Sequence, residues 1–173
     1  MSRKQNSPKR PIFSADTRLD ATGLVYIDVI LTERFLLPPE SLLKIGEKVP
    51  TTIGEVSELT GRSHEDICEV IEECLEIGRD IWLDVTDLTA AAGEDGTVLV
   101  DMRPGVTIET EPLHESARLF HAQNPRVILP FLRSLKRVLV ISHSDDHAWS
   151  AAMSLRKMGV KAFLPRGSSL AHH

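Results

Sequence analysis

The chain has 173 residues, 42% of them hydrophobic and 26% charged, which is enough to bury one large core or two small ones. Its net charge of −5 at pH 7 and aromatic content of 5% argue against general affinity for nucleic acid or anionic membranes, and against a surface that stacks single-stranded bases. The longest apolar run, residues 23–31, is interrupted by Asp28 and is too short to span a bilayer.

The cysteines and the N-terminus indicate the cellular setting. Cys68 and Cys74 fall in one predicted helix and face different sides of it, so a disulfide between them is unfavourable. No apolar segment follows the charged N-terminus, so we expect no signal peptide. These features predict a cytoplasmic protein.

The first forty-five residues carry three local signals. Residues 1–20 are polar and are predicted to form a flexible tail. Residues 24–31 are rich in β-branched side chains and predict a strand. Residues 40–45 follow a proline pair and predict a short helix. The basic residues of the tail are Arg3, Lys4, Lys9 and Arg10.

A pair of helices is predicted between Thr52 and Gly78. Thr52 and Glu55 have the spacing of a capping box, and Gly61 can take the left-handed conformation that ends a first helix. Ser63 then caps a second helix with apolar residues at helical spacing. Two helices joined by a tight turn predict a helix-turn-helix-like unit within a small N-terminal α+β module, residues 21–79.

Beyond Gly78 the pattern becomes α/β, with apolar strands alternating with helices. This rhythm predicts a domain over residues 80–173 with a mainly parallel sheet flanked by helices. The predicted strands are residues 81–85, 97–101, 138–141 and 160–164, and the predicted helices are residues 87–92, 125–135 and a segment ending at Gly159.

Five segments of this part occur in a characteristic order. They are residues 81–88, residues 98–103 with an Asp-x-Arg ending, residues 114–120, residues 138–159 and residues 163–167. Together, over residues 81–173, they resemble the rhodanese-like family. The resemblance implies a catalytic cysteine that follows an apolar strand and opens a six-residue loop, whose backbone N–H groups stabilise an anionic sulfur.

In this sequence Ser142 occupies the position of that cysteine. A serine hydroxyl cannot carry a sulfane sulfur, and Asp145 and Asp146 would repel an anionic substrate. Sulfurtransferase activity is therefore not expected. The candidate ligand or partner loop reads Ser142, His143, Ser144, Asp145, Asp146 and His147.

Other chemistry of this loop stays open. Serine, histidine and aspartate are the residue types of a hydrolytic triad, although one short loop rarely positions all three. His143, Asp145, Asp146 and His147 are weak candidates for a metal site, while the simpler interpretation of the two aspartates is helix capping. Asp101 and Arg103 are expected to support the loop as a structural ion pair.

The charge of the second helix argues against DNA recognition. DNA reading needs basic or amide side chains on that helix, and Arg62 stands alone at its entrance. The preferred role is protein docking, although the basic tail and a second basic group could contact phosphates. The helix carries Glu65, Asp66, Glu69, Glu72, Glu73 and Glu76, and the second basic group is Arg126, Arg133, Lys136 and Arg137.

The preferred interpretation is a catalytically inactive rhodanese-like protein that acts as a protein-interaction or regulatory module. The first alternative is a helix-turn-helix transcriptional regulator with a rhodanese-like sensing domain. A further alternative is a sulfurtransferase or hydrolase that uses the variant loop. We expect a protein partner, with a homodimer as one form of it, and no cofactor or membrane association.

Overall fold

The computed structural model describes residues 13–37, 50–104 and 125–167, together with Thr107 and Glu109. The chain divides into two compact units between Glu76 and Ile77, near the predicted boundary at residue 79. Within the described ranges no helix is long and apolar enough to cross a membrane.

The described part of the N-terminal unit is helical. Its three α-helices follow a short 3₁₀ turn, Leu19–Ala21. Helix α1 is Ile27–Glu33, α2 is Ile53–Thr60 and α3 is His64–Ile77. Their apolar faces supply the buried side chains Ile30, Leu31, Ile53, Val56, Ile67 and Ile71.

The predicted pair of helices is confirmed, together with its capping. The Thr52 hydroxyl accepts the Glu55 N–H at 3.2 Å, and the Glu55 carboxylate accepts the Thr52 N–H at 3.3 Å, so the capping box is complete. Gly61 ends α2 with a φ of 67°, which a side chain would strain. The Ser63 hydroxyl accepts the Asp66 N–H at 3.1 Å at the start of α3.

The predicted strand over residues 24–31 is wrong, because residues 27–31 belong to α1. Tyr26 has a left-handed φ of 51°, which breaks the extended chain, and the helix begins at the next residue. Ile27, Ile30 and Leu31 also fit helical spacing, and tertiary burial of the last two overrides their β-propensity. The described part of this unit contains an isolated Arg18–Thr52 bridge but no strand, so the α+β description is corrected there. The predicted helix at 40–45 lies outside the described residues.

Residues 13–20 belong to the folded unit, which corrects the predicted tail over that part. The N–H of Gly54 donates to the Ala15 carbonyl at 2.8 Å, and the N–H of Leu19 donates to the Thr51 carbonyl at 2.8 Å. The Leu19 side chain is buried. The basic residues of the tail precede residue 13 and lie outside the described ranges.

The C-terminal unit is built on a four-stranded parallel sheet, which confirms the α/β prediction. The strand order is β1-β4-β3-β2. The strands are β1 (Trp82–Asp84), β2 (Thr97–Asp101), β3 (Arg137–Ile141) and β4 (Ala162–Arg166). The helices are α4 (Leu88–Ala92), α5 (Pro125–Ser134) and α6 (Asp145–Lys157). The segment at 114–120 that contributes to the family resemblance lies outside the described residues.

The centre of this sheet is fully buried. Leu99 of β2 and Leu139 of β3 are neighbours across the sheet, and neither is exposed to solvent. Leu88 of α4 packs in the same apolar cluster, while α6 contacts β3 and β4. Strands buried in this way read as continuous apolar runs, which is why they were predictable from the sequence.

Arg156 fixes the end of α6 through backbone carbonyls. Its guanidinium lies over the ring of Phe163, 5.0 Å from the ring centroid. Burial lowers the pKa of Arg156, and the nearby charge of Asp80 opposes that shift. The carbonyls that it binds belong to Ile77, Arg79, Asp80 and Ala162.

Candidate functional site

The candidate site lies where β2 and β3 end. Asp101 and Ile141 are paired at the carboxyl ends of these strands, and the N–H of Met102 donates to the Ile141 carbonyl at 2.8 Å. The segments that follow the two strands are therefore adjacent. In open parallel sheets this edge is the usual place for ligands.

The connection from β3 to α6 is shorter than predicted. Helix α6 begins at Asp145, so the irregular connection is limited to residues 142–144. The first helical hydrogen bond joins the Ala148 N–H to the Ser144 carbonyl at 3.0 Å. Asp145 and Asp146 lie in the first turn, where negative charge stabilises a helix. The expected six-residue loop is therefore corrected to a short connection plus the first helical turn.

Ser142 is the centre of a small polar cluster. Its Oγ lies 2.7 Å from Nδ1 of His147 and 3.2 Å from Nδ1 of His143. A weaker contact of 3.5 Å joins Oγ to the Met102 carbonyl. Because a hydroxyl has one hydrogen, at most one of the imidazoles accepts from Ser142, and the other must donate to it.

The two imidazoles of the cluster face solvent side by side. His143 and His147 are both exposed, their ring centroids are 5.0 Å apart, and the ring planes are inclined by 43°. The serine oxygen lies at the point that both Nδ1 atoms face. The sequence predicted these residues as one site. That both imidazoles contact the same oxygen could be learned only from the geometry of the turn.

Asp146 binds the N-terminal end of α6. A hydrogen bond from the Ser144 hydroxyl lowers the pKa of Asp146, and the backbone N–H of His147 and the charge of His143 act in the same direction. The carboxylate thus accepts the backbone N–H of His147, one of the helix-terminal N–H groups that would otherwise bind an anionic ligand. Asp145, in the same turn, is exposed.

At the end of β2, Asp101 and Arg103 form an ion pair. The Asp101 side chain has no exposed surface, and that of Arg103 is 15% exposed. Arg103 donates to both carboxylate oxygens at 2.7–3.0 Å, and its backbone N–H also donates to Oδ1 at 3.0 Å. The pair fixes the turn after β2.

The sequence did not predict that Met102 belongs to the site. Its backbone carbonyl contacts Ser142. The only signal in the sequence was its position directly after a predicted strand.

The four weak metal candidates do not supply three ligands to one point. Among the residues that the structure describes, no group of three His, Cys, Asp or Glu side chains is arranged to hold a metal ion. Cys68 and Cys74 are buried in the N-terminal unit. Both thiols therefore belong to a different unit from Ser142.

The surface of α3 is acidic, as the sequence predicts. A shallow open depression of about 500 Å³ lies along it, and the Arg62 guanidinium lies 5.7 Å from the centroid of the Phe35 ring. The depression is lined by Arg62, Asp66, Glu69, Val70 and Glu73. This charge distribution opposes docking onto a phosphate backbone.

Described members of the second basic group already have partners. Arg133 donates to the Met158 carbonyl at 2.6 Å. Lys136 pairs with Asp95 and Arg137 with Glu94, each at 3.1 Å. These contacts favour the interpretation of an exposed helix face and turn over that of a phosphate-binding patch.

No protein-family model, curated protein or solved structure matches the chain. The site presents two exposed imidazoles, one hydroxyl and two carboxylates after the carboxyl end of β3.

Proposed function

We propose that the chain is a non-catalytic protein-interaction or regulatory module with a rhodanese-like C-terminal unit. Residues 142–147 and the turn after β2 form its recognition surface. The observation that carries the proposal is the Asp146 carboxylate at the start of α6, where a sulfurtransferase would hold an anionic sulfur.

Sulfur transfer is disfavoured by three features of the same turn. Ser142 supplies a hydroxyl in place of a thiol. The connection to α6 is too short to form the expected six-residue cradle. The carboxylates of Asp145 and Asp146 repel thiosulfate and persulfide anions.

Hydrolysis is disfavoured by what surrounds the Ser142–His147 pair. A hydroxyl 2.7 Å from an imidazole nitrogen resembles a nucleophile with its base. In the described residues, however, no carboxylate is hydrogen-bonded to the other nitrogen of His147, so the orienting third member is lacking. The two aspartates would also destabilise an oxyanion formed at Ser142.

Turnover assays test the non-catalytic part of the proposal. We expect the full chain to be inactive toward thiosulfate with cyanide, toward activated esters and toward phosphate esters. Turnover that disappears in Ser142→Ala and survives in the control Ser134→Ala would overturn it. Ser134 suits this control because it is an exposed serine at the end of α5.

Site-specific cross-linking tests the recognition surface. A photoreactive residue at position 143 should give a defined protein adduct, which the His147→Ala change removes. The same photoreactive residue at position 161 is the matched control, because Lys161 is exposed and precedes β4, at the amino ends of the strands rather than their carboxyl ends. Identical adducts from both positions would contradict a specific surface. Adducts between two copies of the chain would identify the partner as a homodimer.

The regulator alternative rests on the arrangement of α2 and α3. Fluorescence anisotropy with duplex DNA across a salt series tests it, using the full chain and a chain that begins at Phe13. Binding that survives removal of residues 1–12 and falls steeply with salt would favour the regulator. Binding that vanishes with these residues would reflect only their four cationic side chains.

A further inference from the structure

The most informative geometry in the cluster is the convergence of two imidazole nitrogens. Nδ1 of His143 and Nδ1 of His147 face the same oxygen, at 3.2 and 2.7 Å. A single hydroxyl cannot satisfy both nitrogens as acceptors. Imidazoles that face one point are also the arrangement by which proteins chelate borderline transition ions.

The ring separation matches that of a bis-imidazole complex. A zinc–nitrogen bond is about 2.0–2.1 Å and the ring centre lies roughly 1.2 Å behind the nitrogen, so each centroid is about 3.2 Å from the metal. At a tetrahedral angle the two centroids would then be about 5.2 Å apart. The observed centroid separation is 5.0 Å. Little movement of the rings would therefore be needed to hold an ion.

The surrounding charge favours a cation over an anion. Asp145 and Asp146 lie in the first turn of α6, between the two histidines in sequence. Two carboxylates in this turn favour a cation over an anion there.

We infer that His143 and His147 form a two-histidine site for a divalent transition ion of the zinc class. Nδ1 of each ring is the ligand atom, the Ser142 hydroxyl rotates aside, and water completes the coordination shell. The inference deepens the proposed function, on which it rests, because it names the ligand class of the recognition surface. With only two protein ligands, the site suits exchangeable metal that a partner's side chain could complete.

Isothermal titration of the full chain with Zn²⁺ tests the inference, with Mg²⁺ as the negative probe. His143→Ala and His147→Ala should each weaken zinc binding by at least about tenfold, since each removes a ligand. Acidification should weaken binding, because metal-bound imidazole must be neutral. The control His172→Ala with His173→Ala removes the other adjacent histidines and should leave this binding unchanged.

A variant that adds a ligand tests the inference by a gain of zinc affinity rather than by its loss. Ser142→Cys places a thiolate ligand where both nitrogens converge, and zinc affinity should rise by about tenfold or more. Zinc binding equal in the wild type and in the His143→Ala, His147→Ala double variant would overturn the inference. So would a Ser142→Cys variant with no gain over the wild type.

The two proposals fail separately. If zinc does not bind but the photoreactive residue at position 143 still gives a protein adduct, the proposed recognition surface stands and the proposed metal site is rejected. If zinc binds as expected but a Ser142-dependent turnover is found, the metal site stands and the non-catalytic role is rejected.

Discussion

The Asp101 carboxylate is held by three hydrogen bonds from the Arg103 guanidinium, two residues further along the chain. The Asp101 side chain is completely buried, so the pair carries its charge inside the protein. Asp101 ends β2 beside Ile141, the residue before Ser142. The ion pair therefore holds the end of β2 next to the residue that positions Ser142.

Loss of Arg103 should be strongly destabilising. Arg103→Ala leaves a buried carboxylate without its cation, which costs about 3–5 kcal/mol in the free energy of unfolding. Urea unfolding followed by the fluorescence of Trp82 and Trp149 measures it, since both lie in the C-terminal unit. The matched control is Lys136→Ala, because the Lys136–Asp95 pair is exposed and lies in the same unit as the two tryptophans, so its loss should change stability little. Equal losses in the two variants would contradict the structural role of Arg103.

Arg156 should contribute more to stability than any surface arginine. Arg156→Ala removes a charged donor from four carbonyls, and we expect a loss of about 2–4 kcal/mol. Arg156→Lys should recover little, because an ammonium group cannot match the planar guanidinium. Arg133→Ala is the control, since Arg133 is exposed and donates to one carbonyl, and should cost less than about 1 kcal/mol. Full rescue by lysine would show that charge alone matters.

Asp146 predicts a pH dependence of stability. Its pKa is lowered in the folded chain, so it stabilises the fold above the ordinary aspartate pKa of 3.8, and this contribution is lost as the pH falls through the depressed value. At pH 7, Asp146→Asn should cost about 0.3–1 kcal/mol, since the side chain is exposed and the helix-terminal effect is screened. Thermal unfolding between pH 7 and pH 2 should show the two proteins converging at the acidic end. A difference between the two proteins that persisted undiminished at pH 2 would contradict this role of Asp146.

Truncation should separate the N-terminal segment into two parts. Removing residues 1–12 should leave the free energy of unfolding unchanged, whereas removing residues 1–19 also deletes Leu19 and the bonds to Thr51 and Gly54. Leu19→Ala alone should cost about 2–5 kcal/mol, because the side chain is buried. Far-UV circular dichroism during urea unfolding measures the loss of helix, to which α1, α2 and α3 of the N-terminal unit contribute. Equal stability of the two truncated chains would contradict the packing of residues 13–19.

Local signals were sufficient for much of the fold. The Thr52–Glu55 capping box marked the start of α2, and the unbroken apolar run of residues 98–100 marked β2, because capping and burial act through neighbouring residues. The same local reasoning failed at residues 24–31. There, the left-handed turn at Tyr26 and the burial of Ile30 and Leu31 decide for helix, and both depend on tertiary packing.

The candidate site was predictable in composition but not in arrangement. The sequence placed Ser142, His143 and His147 on one connection after β3. It could not show that α6 begins at Asp145, nor that both Nδ1 atoms face the serine oxygen. Those facts depend on the exact helical start, where the sequence offers several competing caps among Ser142, Ser144 and the aspartates.

The strand order of the sheet also governs when the C-terminal unit can form. In the described sheet, β1 is paired with β4 alone, although some eighty residues separate them. During synthesis β1 therefore leaves the ribosome long before its neighbour exists, and the sheet closes only when residue 166 has emerged. Until then β1 exposes an unpaired strand edge, so a chain stopped before β4 should be prone to aggregation and proteolysis.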